Sequence, residues 1–375
     1  MLQESTIKLF ELNEPYQVPI GREACMEIDA LLRIMVAKNA SDLHLRVGGP
    51  PMLRIDGKLV AITDWQPLTI KDTEAIFESI STPEHRKSFA AELELDIAYS
   101  ASGIGRFRVN VLRQRGTLAF AIRLVPFKIP TIDQLNLPAI YKELILKPRG
   151  LILVTGPAGA GKSTTMAAMI DYLNETESRN IITIEDPIEY LHHNKKSIIA
   201  QRDLGEDTRS FELALIHTLR QDPDVIYIGE MRDLTTIATA IRAAETGHLV
   251  LGTLHTTDAA QTIDRMIDIF PANQQGQIRI QLSQVLEAVL TQCLLPRIEG
   301  EGRVAAFEIL LATPAVRNLI RQGKSHEVPN VMNLSTKEGM QTLDQALAKL
   351  VKAQVVSREV ALMKSSNPAQ LMKLL

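Results

Sequence analysis

The stretch Gly156-Pro157-Ala158-Gly159-Ala160-Gly161-Lys162-Ser163 decides how this chain must fold. It matches the pattern G-x-x-x-x-G-K-[S/T]. An apolar run with strand character, residues 151–155, precedes it, and a segment with helical periodicity, residues 164–175, follows it. Glycines let the backbone wrap closely around a phosphate, so that successive N–H groups and the helix N-terminus point at the anion. The octet therefore predicts a site for a nucleoside triphosphate.

Two side chains of this loop have chemistry of their own. Lys162 can neutralise the β- and γ-phosphates, and the Ser163 hydroxyl can ligate Mg²⁺. We expect the eight loop residues and Thr164, at the start of the helix, to form the nucleotide contacts. The predicted cofactors are ATP and Mg²⁺.

The composition is that of an ordinary globular protein with two or three domains. The 375 residues are 45% hydrophobic and 23% charged. A net charge of −3 and an aromatic content of 4% give no basic stripe and few stacking platforms, so nucleic acid is not expected as a partner. The two cysteines, Cys25 and Cys293, offer neither a disulfide framework nor a zinc spacing, which favours the cytoplasm.

The sequence contains no apolar run of the length that a bilayer requires. Residues 1–25 carry scattered charges and have no apolar core of a secretory signal, so we interpret them as a loosely ordered leader. Any association with the inner face of the membrane is expected to be peripheral and to depend on a partner protein.

The chain divides into two regions with different patterns. Residues 26–125 mix two helical segments with alternating strands and predict a small α+β domain. Residues 126–149 are punctuated by prolines and read as a linker. Residues 150–375 alternate strand and helix, which predicts an α/β fold with a parallel sheet and C-terminal helices. Strands are expected at 151–155, 180–184, 225–228 and 249–254, and helices at 277–294, 315–322 and 343–350.

Acidic residues follow two of these strands. Glu230 ends the apolar strand that begins after Asp224, and it can polarise a water against the γ-phosphate. Asp224, at the strand start, is expected to be structural. Glu185 and Asp186 follow another strand and should face the same crevice, where we expect a second Mg²⁺ or water-positioning site.

Histidines bracket a third strand. His248 and His255 stand at its two ends, too far apart to share a metal. Satisfied core imidazoles or a pH sensor remain alternatives, but contact with the nucleotide phosphate or the Mg²⁺ ligands is the preferred role. His192 and His193 adjoin lysines and are expected to be solvated.

These blocks resemble those of the type II secretion and type IV pilus ATPase superfamily, in particular its twitching-motility retraction branch. The Walker A, Asp box, Walker B and His box of that family match 156–163, 183–192, 222–233 and 245–255, in order. Further similar blocks lie at 41–44, 105–110, 315–320 and 339–344, so that the resemblance runs from about residue 26 to residue 369. Ala158 stands where the family usually has threonine, a change that removes no phosphate contact.

The resemblance implies a PAS-like N-terminal domain, a RecA-like P-loop core and a homohexameric ring that hydrolyses ATP. It implies a motor for type IV pilus retraction and twitching motility, with an inner-membrane platform protein and a paralogous ATPase as further partners. It also implies that the N-terminal domain supplies arginines to the nucleotide. The candidates are Arg106, Arg108, Arg113 and Arg115. A solvated polar sheet face is the alternative for these four side chains.

Other functions fit the same core. Pilus-assembly and type II secretion ATPases resemble it but usually carry a further N-terminal domain and a tetracysteine metal site, for which two cysteines are too few. A nucleic-acid motor is disfavoured by the acidic net charge. An accessory subunit that binds ATP without hydrolysing it is disfavoured by Lys162, Glu230 and the arginines.

Overall fold

The computed structural model describes residues 28–55, 57–126, 128–299 and 302–375, and it divides into two compact units, Met1–Leu124 and Val125–Leu375. The expectations for the leader and for Cys25 concern residues outside these described ranges.

The described part of the first unit is built on a six-stranded antiparallel sheet flanked by helices. Its helices are α1 (Ile28–Ala37), α2 (Ile70–Ile80) and α3 (Pro83–Glu92). Its strands are β1 (Asp42–Arg46), β2 (Met52–Ile55), β3 (Lys58–Ala61), β4 (Glu94–Ala101), β5 (Gly105–Gln114) and β6 (Thr117–Leu124), in the spatial order β3-β2-β1-β6-β5-β4.

The hydrophobic pattern explains these elements. Helix α1 buries Leu31, Leu32 and Met35 on one face, as a period of 3.6 residues requires. Strand β5 buries Phe107 and Val109 in alternation with polar neighbours, as a half-covered sheet requires. Helix α3 was not expected from the sequence.

The second unit contains a seven-stranded sheet in the order β13-β12-β7-β11-β10-β8-β9 among its described residues. All neighbours are parallel except the β12–β13 pair. The strands are β7 (Gly150–Thr155), β8 (Asn180–Glu185), β9 (Ile198–Asp203), β10 (Val225–Ile228), β11 (Leu249–Leu254), β12 (Leu286–Pro296) and β13 (Arg303–Leu311).

Helices cover both faces of this sheet and extend it at the C-terminus. They are α4 (Ile140–Ile145), α5 (Lys162–Thr176), α6 (Phe211–Thr218), α7 (Leu234–Glu245), α8 (Ala259–Asp268), α9 (Ala272–Val285), α10 (Pro314–Gln322), α11 (Val328–Leu334), α12 (Leu343–Lys352), α13 (Arg358–Lys364) and α14 (Pro368–Leu374). The predicted fold class is confirmed: an α/β unit with a parallel sheet core and C-terminal helices, and a smaller α+β unit before it.

Two local expectations differ from the structure. A single helix over residues 277–294 is wrong, because α9 ends at Val285 and the chain continues directly as β12. Strand β12 is buried on both faces, so its sequence lacks the regular alternation of apolar and polar residues that would distinguish a strand from a buried helix. The stretch expected as a linker contains α4, whose Tyr141, Leu144 and Ile145 are buried against β7 and α5. Much of it therefore belongs to the second unit.

Across the described residues, none of the helices combines the length and the apolar character that crossing a bilayer would take.

Candidate functional site

Four parallel strands bring the predicted motifs to one edge of the sheet. The starts of β7, β11, β10 and β8 are in register through Gly150, Leu249, Val225 and Ile181. Their carboxyl ends therefore lie side by side, which is where ligands bind in open α/β sheets. The loops that follow these ends enclose a pocket of about 450 Å³. Its lining includes Ala158, Gly159, Ala160, Gly161, Lys162, Ser163, Thr164, Glu185, Asp186, Glu189, Tyr227, Glu230, Thr253, His255, Leu294 and Arg303.

The loop between β7 and α5 has the shape of an anion cradle. Gly159 and Gly161 adopt φ values of +73° and +89°, and Gly161 is the N-cap of α5, so the helix N-terminus opens into the pocket. Lys162 is buried, and its Nζ donates to the carbonyls of Gly156 at 2.7 Å and Pro157 at 3.1 Å. The carbonyls of Gly156 and Pro157 thus hold the Lys162 ammonium in place, and neither residue lines the pocket.

The loop after β8 is tied to the first turn of α5. The Ser163 hydroxyl donates to Glu189 Oε1 at 2.9 Å, and the hydroxyls of Thr164 and Tyr190 lie 3.0 Å apart. Glu189 therefore lies beside the expected Mg²⁺ ligand. No role was assigned to Glu189 from the sequence, although its position four residues after Glu185, in the same acidic motif, was a signal for it.

Glu185 is buried at the end of β8. It accepts hydrogen bonds from Thr183 Oγ1 at 2.6 Å and from Gln201 Nε2 at 3.1 Å. Burial raises the pKa of Glu185 to about 7, although both hydrogen bonds oppose the rise. Asp186 is exposed at the pocket wall. The carboxyl of Glu185 can thus be neutral near pH 7, whereas that of Asp186 faces water.

Glu230 follows β10 and is held by Arg232 and His255. Arg232 donates through Nε to Oε1 and through Nη2 to Oε2 at 2.6 Å, and His255 Nε2 lies 3.2 Å from Oε1. Burial would raise the pKa of Glu230, but the hydrogen bonds and charge of Arg232, helped by His255, outweigh it and lower the pKa. Glu230 is therefore an ionised carboxylate near neutral pH.

The two histidines of the His box are separated. His255, after the end of β11, lines the pocket beside Glu230. His248 lies at the other end of β11, where its carbonyl accepts from Gly150 N at 3.0 Å and its Nδ1 lies 2.9 Å from Ala243 O. Six strand residues span about 20 Å. The structure does not bring His248 to this pocket, so the expectation of two nucleotide-binding histidines is corrected to His255 as the candidate.

His192 is not solvated, contrary to expectation. Its side chain is half-buried, and burial lowers the pKa of the imidazole to about 4. Its backbone N–H donates to Gln201 Oε1, whose amide also contacts Glu185. His193, by contrast, is exposed. His192 thus packs as a neutral ring in the loop that carries Glu189.

The four candidate arginines have different local roles in the first unit. Arg106 and Arg108 lie on one face of β5, and Phe107, between them, is buried on the other face. Arg106 Nη1 donates to Ser100 Oγ at 3.2 Å, and Arg108 is exposed. Arg113 Nη1 donates to Gly116 O at 3.0 Å, and its guanidinium lies 5.9 Å from the Phe89 ring centroid.

Arg115 has a φ of +51° in the turn between β5 and β6. The contacts with Gly116 and Phe89 give Arg113 a structural role, and the catalytic role expected of one of these four arginines stays a prediction.

The residues present fit a Mg²⁺ ion that is bound mostly by water and phosphate. No group of three or more His, Cys, Asp or Glu side chains arranged for a metal occurs in the described part of the chain. Mg²⁺ in nucleotide sites needs fewer protein ligands, since it keeps several waters and binds one or two side chains plus phosphates. Ser163, Glu185 and Asp186 supply suitable oxygens at the pocket.

The second unit combines a parallel sheet, a glycine-rich loop that opens α5, the buried Lys162, and the ionised Glu230 at the end of β10, which β11 separates from β7. These features define a P-loop ATPase. A family model described as "Type II/IV secretion system protein" matches residues 24–362, and the chain belongs to that family. The resemblance noted from the sequence is thereby confirmed.

The similarity extends over nearly the whole chain. This chain is 47% identical to the type IV pilus retraction ATPase PilT of Pseudomonas aeruginosa, over 92% of this chain and 99% of that relative. It is 45% identical to the type IV pilus ATPase PilU of the same organism, over 92% of this chain and 91% of that relative. A crystal structure of the pilus retraction motor PilT with bound ADP superposes with a TM-score of 0.85 at 48% identity, covering 93% of this chain and 99% of that one.

Proposed function

We propose that this protein is the ATP-hydrolysing motor of type IV pilus retraction and thereby drives twitching motility. The observation that supports it most is the pocket at the ends of β7, β8, β10 and β11, in which Lys162, Glu185, Glu230 and His255 converge. The similarity to a retraction ATPase over 92% of the chain supports pilus retraction as opposed to pilus assembly.

The chemistry assigned to the chain's own groups is positioning and charge stabilisation. The N–H groups of the 156–163 loop and Lys162 bind the phosphates. Ser163, Glu185 and Asp186 would hold Mg²⁺, which would supply further positive charge at the phosphates. Glu230 orients and polarises the attacking water. Because Glu230 is ionised but paired with Arg232, it must exchange part of that pairing for the water.

His255 lines the same pocket, and its Nε2 lies 3.2 Å from Glu230 Oε1. A contact of His255 with the γ-phosphate would therefore change its interaction with the Glu230 carboxylate when the phosphate leaves. In a homohexameric ring, Arg106 or Arg108 of the first unit adds positive charge at the transferring phosphoryl group. Hydrolysis would thereby be coupled to the position of that unit.

The remaining partners are proposed on the same basis. The ring acts in the cytoplasm at the inner face of the membrane, against an inner-membrane platform protein, and a paralogous ATPase is a further partner. Two relatives, named PilT and PilU, are both found in Pseudomonas aeruginosa, which supports a paralogue as partner. Pilus assembly or type II secretion is the alternative function.

A deletion strain of the host distinguishes these functions. Loss of a retraction motor leaves surface pili in place and abolishes twitching, whereas loss of an assembly motor removes the pili. Complementation with the wild-type gene should restore twitching, and complementation with Lys162→Ala should not, because the variant lacks the loop's cation. Lys142→Ala, at a salt bridge to Asp133, is the matched control and should restore it. A bald deletion strain would favour assembly.

A further inference from the structure

Strand β12 brings a buried amide against the phosphate-binding loop. β12 pairs in parallel with β7 up to Thr291 opposite Thr155, so Gln292 lies beside the first residue of the loop, Gly156. The Gln292 side chain is 2% exposed. A long polar side chain buried to this extent must be hydrogen-bonded by the protein itself.

Both ends of that amide have partners. Gln292 Nε2 donates to Ala160 O at 2.7 Å, and Gln292 Oε1 accepts from Thr165 Oγ1 at 3.0 Å. The orientation is determined by chemistry, since a backbone carbonyl can only accept and must face the nitrogen. Ala160 and Thr165 are each 3% exposed, so neither bond can be replaced by bulk water.

The backbone of the loop fits closely around the same residue. A Cβ on Gly156 would lie 2.3 Å from Gln292 O, and a Cβ on Gly161 would lie 3.2 Å from Gln292 Nε2. Gly156 and Gly161 also have φ values of +141° and +89°. Glycine is therefore required at positions 156 and 161 for two reasons: a side chain there would crowd Gln292, and the backbone has a positive φ.

The hydrogen bond to Ala160 O has a consequence for anion binding. In a trans peptide the C=O and the following N–H point in opposite directions. With the Ala160 carbonyl directed at Gln292, the Gly161 N–H is directed away from β12. Gly161 lines the pocket, and an N–H at this position is a phosphate donor.

We propose that Gln292 is a positioning residue that fixes the Ala160–Gly161 peptide in the orientation that presents the Gly161 N–H to the nucleotide phosphates. It acts through the loop and does not touch the nucleotide. The proposal concerns the ATP site alone, so it can fail while the retraction function stands, and the reverse is equally true.

The test measures binding of a fluorescent ATP analogue and steady-state hydrolysis by the purified full-length protein. Gln292→Met keeps the side-chain length and removes both amide groups, leaving Ala160 O buried without its donor and Thr165 Oγ1 without this acceptor. We expect the Kd and KM for ATP to rise about tenfold or more, with a smaller change in kcat at saturation.

Thr291→Val is the matched control on the same strand. It removes the hydrogen bond between Thr291 Oγ1 and Thr155 Oγ1, 2.8 Å, which joins two strands and does not involve the loop carbonyl. We expect Thr291→Val to lower the melting temperature much as Gln292→Met does and to leave the Kd for ATP within about twofold of wild type.

Gln292→Glu provides a readout that a packing role would not give. As a carboxylate it cannot donate to Ala160 O, and burial places its pKa in an accessible range. We expect its Kd for ATP to improve, relative to wild type, as the pH falls from 8 to 6 and the protonated carboxyl regains a donor.

An unchanged Kd in folded Gln292→Met, or an equal loss of affinity in Thr291→Val, would overturn the proposal. If Gln292→Met does not fold, a pH profile of Gln292→Glu parallel to that of wild type overturns it.

Discussion

Ser163 donates its hydroxyl to Glu189 Oε1 at 2.9 Å, which joins the first turn of α5 to the loop that follows β8. The hydroxyl expected to ligate Mg²⁺ thus already contacts a carboxylate, and this carboxylate could accept hydrogen bonds from water bound to the metal. Together with the contact between Thr164 and Tyr190, this bond makes the acidic loop part of the nucleotide site.

This contact gives the first prediction. Ser163→Ala should raise the Mg²⁺ concentration for half-maximal hydrolysis at least several-fold, because the site loses a metal ligand. Glu189→Gln should raise it less, since an amide oxygen still accepts from Ser163. The measurement is a Mg²⁺ titration of ATPase activity at fixed ATP. An identical Mg²⁺ requirement in Ser163→Ala and wild type would place the metal elsewhere.

Glu230 carries the second prediction. Glu230→Gln should keep ATP binding and slow turnover by roughly 10² or more, the value of a general base or water-positioning group. Comparison of Kd with kcat separates binding from chemistry. Arg232→Ala, which frees Glu230 from its bidentate partner, serves as the companion variant and should change kcat far less. Near-normal turnover in Glu230→Gln would shift the assignment to Glu185.

The arginines of β5 and its exit give the third prediction. Arg106→Ala or Arg108→Ala should lower kcat at least tenfold with a much smaller change in the Kd for ATP, as expected when charge is delivered to the transition state. Arg113→Ala should instead cost about 0.5–1 kcal/mol of stability through its lost contact with Phe89 and leave kcat near wild type. Full activity in all single variants, Arg115→Ala included, would favour a solvated sheet face.

Helix α10 gives the fourth prediction. Helical periodicity places Arg317, Asn318 and Arg321 off the apolar face of this helix, which would leave all three side chains without contacts, but Arg317 is hydrogen-bonded. Its Nη1 donates to Ser283 O and Gln284 O at 2.7 Å each, and its Nη2 lies 2.9 Å from Glu287 Oε1. Asn318 and Arg321 are exposed.

We therefore expect Arg317→Ala to destabilise the fold by about 2 kcal/mol through unpaired carbonyls at the end of α9. Asn318→Ala with Arg321→Ala should leave ATPase activity within a few-fold and abolish twitching, if this face docks on a partner. Hydrolysis and twitching are scored on the same strains. Normal twitching in the double variant would mean that α10 is an ordinary packing helix.

A buried carboxyl far along the sheet gives the fifth prediction. Glu308 on β13 accepts from Ala259 N at 2.7 Å and from Leu343 N at 3.2 Å, the first residues of α8 and α12. Burial raises the pKa of Glu308 to about 7, although both hydrogen bonds oppose the rise. A folded-state pKa above the unfolded value means that the folded protein binds the proton more tightly.

The free energy of unfolding should therefore fall as pH rises from about 4.5 through about 7, by an amount on the order of 3 kcal/mol at most from this group. Glu185 contributes with the same sign. Urea denaturation at pH 5 and pH 8 should show a larger loss in wild type than in Glu308→Gln. Equal pH dependence in the two proteins would show that Glu308 titrates normally.

The sequence by itself determined the P-loop site, the fold class and the order of the motifs. It could do so because the octet at 156–163 restricts the backbone locally, and because parallel strands must end at one edge. The alternation of hydrophobic residues was sufficient for β5, and the apolar face was sufficient for α1.

Only the tertiary structure decided which side chains meet. It separated His248 from His255, tied Glu230 to Arg232 and made β12 a strand that supports the loop through Gln292. The bond between Gln292 and Ala160 joins residues 132 positions apart, and β12 is buried on both faces. The periodicity of a sequence reports which face of a segment is buried, and it contains no information on a partner strand brought beside that segment by the fold.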